Sequence, residues 1–515
     1  MSDSRSKNAT RNIVSGTFNK ILTLFLPFLI RTVIIRQLGA DYLGLGSLFA
    51  SILQVLNMTE LGFSSAVVFS LYKPIAEGDT ETICALLSFY RKVYKIVGAV
   101  ITVLGLLLIP FLPYLIKDGE YPSDINLYVL YLLNLFATAV SYFAFAYKSV
   151  ILTASQRQDL ISNIDSFSNV SKYVIQIIVL IIWKNYYLYF IWNLFFVIAN
   201  NFIVAYVTNK YYPHYQPKGT ITQASKSEIV QKIKGIAIGK FSFVARNSFD
   251  SIVLSMFCGL TDVAIYSNYY YVFSSIIGFI GVLVQALTAG VGNSVATDTV
   301  EKNYYDFRRF YFIFSMIGGF CTVCLFCLYQ PFMHVWAGEE LTASFAVMIL
   351  FCVYFYITQM GQVRAMYSNA AGIWWELRGI SIAEMVFNLL LNFVLGYFWG
   401  MSGILWATII TAFLCSIVGF TIVTYRVYFK RNAMDYFKDS GIYVVSTVGV
   451  ALITSQVCGL IHQDSWLFLF VKAIICSVVS VPLFFGVFSI SPRFRDYFKS
   501  IVKNVTSKKM LKIHM

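Results

Sequence analysis

Among the cations inside apolar runs of this chain are Lys20, Arg31, Lys148, Lys172, Lys240, Arg246 and Arg364. Four carboxylates, Glu60, Asp165, Asp250 and Glu384, stand there too. A cation at the centre of a bilayer costs roughly 2.5–3.5 kcal/mol on insertion scales, so such residues face a wet or paired interior rather than lipid. Lys20 and Arg31 are eleven positions apart, which on a helix is only about 20° of azimuth. They form one cationic stripe on an otherwise Leu-, Ile-, Phe- and Val-rich segment, "SGTFNKILTLFLPFLIRTVIIRQLG". Asp165, Asn169, Lys172 and Gln176 step by four, three and four positions and share another face. Lys240, Arg246, Asn247 and Asp250 share a third, and Asp250 lies one turn from Arg246. Internal pairing accounts for some of these charges, but the cations exceed the carboxylates. A net positive interior suits an anionic substrate. Carboxylates facing the same interior are candidates for carrying a coupling H+ or Na+.

The segments that must position these residues are membrane spans. The chain has 515 residues, of which 58% are hydrophobic and only 12% charged, with a mean hydropathy of +0.70. A soluble domain with that balance would lack the polar surface to cover itself. Apolar runs of about 20 residues fall at 13–38, 43–72, 89–116, 126–150, 161–183, 187–210, 235–258, 263–292, 307–333, 343–368, 378–399, 403–428, 441–461 and 466–489. The expected fold is an all-α integral membrane protein of about fourteen transmembrane helices. The opening "MSDSRSKNATRN" reads as a cytoplasmic segment without a cleaved leader, which leaves insertion to the first span.

Lys and Arg crowd alternate connections. Arg5, Lys73, Arg91, Arg157, Lys218, Arg308 and Arg426 lie on one side, with the tail from Arg493 to Lys512, whereas Lys117 and Lys184 are alone among acids on the other. Both termini are therefore expected in the cytoplasm. Most of the formal +14 is topology, not a nucleic-acid surface. The chain also repeats itself at an offset near 220: Lys20 and Gly39 recur as Lys240 and Gly259, Gly98 and Pro110 as Gly319 and Pro331, and "ASQRQDL" as "AGIWWEL". Six spans separate equivalent positions, so the repeat is parallel. The expected organisation is a cytoplasmic N-terminus (1–12), a first lobe of helices 1–6 (13–210), a cytoplasmic linker (211–234), a second lobe of helices 7–12 (235–428), two further helices (429–490) and a basic tail (491–515) suited to anionic lipid.

Other constellations carry less. Tyr266, Tyr269 and Tyr270 in "YSNYYYVF" are candidate sugar-stacking residues, although aromatics near span ends commonly serve as an interfacial belt. Cys321, Cys324 and Cys327 have tempting spacing, but no histidine or further thiol is expected to accompany them, and the nine cysteines are assigned to packing with no metal expected. The four histidines are scattered, no phosphate-binding Gly-rich loop is present, and no catalytic set competes, so the chain is not expected to be an enzyme.

"RNIVSGTFNKILTLFLPFLIRTVIIRQLGADYLGL" (11–45), "ELGFSSAV" (60–67) and "YKPIAEGD" (72–79) resemble the multidrug/oligosaccharidyl-lipid/polysaccharide (MOP) exporter superfamily, and within it the bacterial polysaccharide-unit flippases of Wzx type. The resemblance covers essentially the whole chain. It implies a two-lobed cavity with alternating access, a bacterial cytoplasmic membrane location, and an undecaprenyl-pyrophosphate-linked oligosaccharide as substrate for capsule, exopolysaccharide, O-antigen or teichoic acid. Related flippases place cavity cations on helices 1 and 7, where Arg31 and Arg246 fall. A monomer is expected, without cofactor, in contact with membrane lipids and working beside a polysaccharide polymerase. Two alternatives remain. A cation-coupled multidrug exporter should have a more apolar cavity around a few acids. A membrane polymerase or ligase should have larger extracytoplasmic loops.

Overall fold

A computed structural model describes residues 2–60, 63–223, 248–461, 463 and 465–489, together with positions 226, 227, 229, 241, 244, 495 and 496. The chain is all-α, and the described residues contain no strand. In chain order the helices are α1 (Ser2–Gln37), α2 (Ala40–Leu56), α3 (Phe63–Glu77), α4 (Thr80–Leu108), α5 (Leu127–Phe143), α6 (Ser149–Ala154), α7 (Gln158–Ile182), α8 (Tyr186–Tyr211) and α9 (Ser248–Phe257). There follow α10 (Leu260–Thr297), α11 (Val300–Ala337), α12 (Phe345–Met360), α13 (Gln362–Ala370), α14 (Trp374–Thr411), α15 (Phe420–Thr424), α16 (Met434–Cys458) and α17 (Trp466–Ser489).

Among the described residues, ten helical stretches are long and apolar enough to cross a membrane. One of them, Trp374–Phe429, is two spans joined at Gly400, whose φ of 56° and ψ of −133° only glycine adopts without strain. Three shorter apolar helices, α2, α5 and α9, complete the set of fourteen expected spans. This is a multi-pass membrane protein, and its many exposed Phe, Leu, Ile and Val side chains suit a lipid-facing surface.

The internal repeat is written in the backbone as well as in the side chains. Left-handed residues punctuate the chain at Gly39 and Gly259, at Gly119 and Gly338, at Gln156 and Gly372, and at Lys184 and Gly400. Each pair keeps nearly the same offset, as a duplication leaves its turns in register. Other ends are set locally. The Asp79 carboxylate caps α4 by accepting from Thr82 N at 3.0 Å, and these hydrogen bonds from Thr82 hold its carboxyl below the ordinary carboxylate value.

By contacts the chain forms two compact units, Met1–Asn268 with Met385–Ile404, and Tyr269–Glu384 with Leu405–Met515. In the first, α1 lies along α7, α7 along α8, and α4 and α8 against α5. Its core runs from Ile34, Leu48 and Phe49 to Tyr90, Leu130 and Ile151. In the second, α11 is the central strut, packed by α12, α16 and α17. An aromatic stack of Phe307, Tyr311 and Tyr436 joins α11 to α16. Beside it Arg308 pairs with Asp439, both side chains nearly buried. Breaking a buried pair by removing one partner leaves an uncompensated charge worth about 3–5 kcal/mol, whereas exposed pairs contribute about 0–1. Thermal unfolding in detergent should therefore show Arg308→Met strongly destabilised and Lys73→Met, from the exposed Lys73–Glu77 pair, close to wild type. Equal melting of the two variants would contradict this ranking.

Candidate functional site

Within the first unit, four polar centres interrupt the apolar core. The first is at Arg31. Its Nη1 donates to Asn268 Oδ1 at 2.8 Å and to Ser267 Oγ at 3.1 Å, and Ser47 Oγ donates to the same Ser267 hydroxyl at 3.2 Å. Arg31 on α1 thus reaches the first turns of α10, where α2 and α10 also meet. At that crossing a Cβ on Gly44 would lie 2.0 Å from the Leu260 carbonyl oxygen, and Thr261 Oγ1 donates to Asp41 at 2.5 Å. Lys20, about three turns from Arg31 on the same stripe, is half-buried, with no hydrogen bond or ion pair from its ammonium among the described residues.

The second centre is Asp250 on α9, wholly buried at 0% exposure. Tyr266 donates its hydroxyl to Asp250 Oδ2 at 2.9 Å, and Asn392 Nδ2 donates to Oδ1 at 2.7 Å. Asn392 also donates to Asn388 Oδ1 at 3.3 Å, one turn away on α14. Arg246 and Lys240, the expected neighbours of Asp250 on its helix, lie outside the described residues.

The third centre is a cavity of about 140 Å³ between α7 and α8, lined by Asp165, Asn169, Lys172, Asn200 and Asn201 among others. The helical spacing predicted that Asp165 and Lys172 share a face, and they do. They are not ion-paired: Asp165 Oδ1 accepts from Asn200 Nδ2 at 3.0 Å, and Lys172 Nζ lies 4.7 Å over the Tyr173 ring. Lys148, also buried, gives its ammonium to Asn209 Oδ1 and sits near the Phe145 ring, apart from this cavity.

The fourth centre is a break in the second span. The helical path through α2 and α3 is interrupted by a 3₁₀ turn, Asn57–Glu60, which the apolar run 43–72 gave no reason to expect. Glu60 there accepts from Tyr94 at 2.5 Å and from Tyr142 at 2.8 Å, and Tyr142 also reaches Asn57 Oδ1 at 3.2 Å. A carboxylate at a helix break, solvated by phenols, is a polar node of the kind that irregular membrane helices create.

The second unit holds the remaining candidates. Arg364 on α13 is only 4% exposed; its guanidinium carbon lies 4.9 Å over the Phe420 ring, and its Nε has no hydrogen-bond partner among the described residues. Glu384 on α14 accepts from Ser416 Oγ at 3.1 and 3.2 Å. Ser416 belongs to a π-helical stretch, Ala412–Gly419, of the kind often found at functional positions. Tyr269 is fully buried, stacked on Phe351, and its hydroxyl donates to Gln330 Oε1 at 2.5 Å. Tyr266 is likewise engaged with Asp250. Of the three candidate tyrosines, only Tyr270 keeps a partly exposed ring.

One reading from the sequence is corrected. Cys321, Cys324 and Cys327 do have further thiols beside them, since Cys458 and Cys476 come from α16 and α17 to join Cys324 and Cys327. The sequence also gave no notice of Asn268, Asn200 and Asn209 as the groups that solvate Arg31, Asp165 and Lys148. Their signal is a lone amide inside an aromatic or aliphatic run, as in "YSNYYYVF".

No family model matches the chain, and no curated protein matches it in sequence. Solved structures do match in fold. An inward closed lipid II flippase, MurJ, aligns with a TM-score of 0.64 at 14% identity, over 92% of this chain and 97% of that one. An inward-facing multidrug resistance MATE family transporter of the MOP superfamily gives 0.62 at 14% identity, over 81% and 98%. A MOP superfamily transporter from Pyrococcus furiosus gives 0.57 at 15% identity, over 83% and 97%. The chain therefore shares the fold of these solved MOP superfamily transporters. The similar structures are of transporters and flippases, in agreement with the resemblance carried by residues 11–45, 60–67 and 72–79.

Proposed function

We propose that the chain moves an undecaprenyl-pyrophosphate-linked oligosaccharide from the cytoplasmic to the outer leaflet of a bacterial cytoplasmic membrane by alternating access, supplying surface polysaccharide synthesis. One observation carries this reading. Lys20, Lys148, Lys172 and Arg364 make no ion pair among the described residues, whose ion pairs include Lys73–Glu77, Arg157–Asp159, Lys302–Asp298 and Arg308–Asp439. A neutral amide holds Lys148 and an aromatic ring holds Lys172 without cancelling their charge, whereas Arg364 also lies within electrostatic reach of Glu384. A diphosphate group supplies the missing negative charge, and bidentate guanidinium contact suits it. The similarity to a lipid II flippase supports a lipid-linked cargo.

A multidrug exporter is the second reading, favoured by the MATE transporters that share the fold. The two differ in the sign of the cargo. In proteoliposomes, export of a lipid-linked diphosphate oligosaccharide should be inhibited by soluble pyrophosphate analogues and indifferent to lipophilic cations. Competition by lipophilic cations alone would favour the multidrug reading.

Ion coupling is assigned to one of Glu60, Asp165, Asp250 or Glu384. With each carboxylate replaced by its amide, one variant should lose the response of transport to an imposed pH or Na+ gradient while keeping downhill exchange. Transport by the unaltered protein that ignores both gradients would contradict the assignment.

A further inference from the structure

Four thiols converge in the second unit. Cys324 and Cys327 are one turn apart on α11; Cys458 is the last residue of α16; Cys476 lies midway along α17. The Sγ atoms of Cys327, Cys458 and Cys476 all lie within 4.8 Å of one another, and Cys476 Sγ is 3.7 Å from Cys324 Sγ. All four are free thiols. We propose that they bind one thiophilic d10 metal ion, Zn(II) or Cu(I), which staples α16 and α17 to α11.

The geometry fits the ion's demands. With metal–sulfur bonds near 2.3 Å, a tetrahedral thiolate site has sulfur–sulfur distances of about 3.8 Å. The Cys324–Cys476 separation is close to that value, and the mutual separations of Cys327, Cys458 and Cys476, all within 4.8 Å, need only a small rotamer adjustment. The donor set is all sulfur, which selects Zn(II) or Cu(I) over Mg(II), Ca(II) or Mn(II). Packing alone does not require four thiols from three helices to meet at one point.

The charge is also provided for. Each ligating thiol gives up its proton, so four thiolates around a divalent ion carry −2. Lys472, one turn before Cys476 on α17 and only 6% exposed, places a buried ammonium within electrostatic reach of Cys458. Thr454, one turn before Cys458 on α16, has a buried hydroxyl with no acceptor among the described residues, a spare donor on the same helix face. Cys324 also lines a largely apolar cavity of about 360 Å³ with Leu328, Phe332 and Trp466, so the cluster is not sealed on every side.

The test uses the full-length protein in nanodiscs, purified with reductant and stripped with chelator. Co(II), the spectroscopic stand-in for Zn(II), should produce an intense thiolate-to-cobalt absorption saturating at one equivalent and bleached by one equivalent of Zn(II). A parallel titration of Cu(I) against a coloured Cu(I) chelator shows which ion binds more tightly. Binding should fall at least tenfold in Cys458→Ser and Cys476→Ser and stay unchanged in Cys415→Ser, and metal should raise the melting temperature of wild type only. Should the serine variants fail to fold, alkylation mapping of wild type still decides: Zn(II) or Cu(I) should protect these four cysteines and leave Cys84 reactive. Absence of the cobalt band together with unprotected thiols overturns the proposal. Spontaneous loss of these thiols as disulfides in metal-free protein, with no metal uptake, also overturns it.

Discussion

Arg31→Ala abolishes glycan export while the protein remains in the membrane at its normal level: this is the expected result. Arg31 is on the cationic stripe of α1, half-buried, with its Nη1 held by two neutral oxygens, Asn268 Oδ1 and Ser267 Oγ. A guanidinium presents its donors in a planar fork that matches a phosphate, and hydrogen bonds to charged groups are worth about 1.5–3 kcal/mol each. Losing one such contact in the loaded state lowers affinity by roughly 10–150-fold, and losing two removes transport at ordinary substrate levels. Arg31→Lys should recover only part, because an ammonium lacks the planar fork. Asn268→Ala, which frees the guanidinium without deleting it, should weaken export less than Arg31→Ala. Full export by Arg31→Ala would remove Arg31 from the binding site.

Gly44→Val should be among the most damaging substitutions of an uncharged residue. A Cβ at position 44 would meet the Leu260 carbonyl oxygen at 2.0 Å and its carbon at 2.7 Å, both backbone atoms that cannot rotate away. α2 and the start of α10 would have to separate, taking with them the Thr261–Asp41 hydrogen bond and the Ser47–Ser267–Arg31 chain. Overpacking of a tight contact costs typically about 1–3 kcal/mol and more where backbone must move. Export should therefore be lost. The control is Gly16→Val, on α1, where a Cβ would have nothing within 4 Å. Cross-linking of Asp41→Cys with Thr261→Cys reads the same contact directly: it should form in the parent and fail with Gly44→Val. Unchanged cross-linking would show that the crossing is looser than its geometry.

The fourteen spans were legible because length and apolar content suffice to mark a membrane helix, and apart from a closed β-barrel only a helix satisfies the backbone in lipid. The repeat was legible in Gly39 and Gly259, since a left-handed turn leaves a glycine. The break at Asn57–Glu60 was not, because Gln54, Asn57 and Glu60 step at intervals that an unbroken helix would use equally well. Faces were readable and partners were not: Asp165 and Lys172 share a cavity as the spacing required, yet Asp165 takes Asn200, thirty-five positions away, in place of the lysine. The aromatic run at Tyr266–Phe273 shows the same limit. Composition marks it as a stacking surface or a belt, whereas Tyr266 is spent on a buried carboxylate and Tyr269 on Gln330. The thiol cluster joins residues more than a hundred positions apart, a distance over which no local pattern carries information.

The central claim is that intramembrane cations recognise the negative head of a lipid-linked sugar. The direct measurement is equilibrium binding of three polyprenyl ligands of one chain length, a diphosphate, a monophosphate and a free alcohol, to the protein in nanodiscs, with Arg31→Ala and Lys20→Ala alongside. The account predicts affinity in the order diphosphate, monophosphate, alcohol. It predicts that Arg31→Ala selectively lowers diphosphate affinity by at least about tenfold, the equivalent of about 1.4 kcal/mol, and that added salt narrows the difference. Equal affinity for the three ligands, unchanged by either substitution, would contradict it.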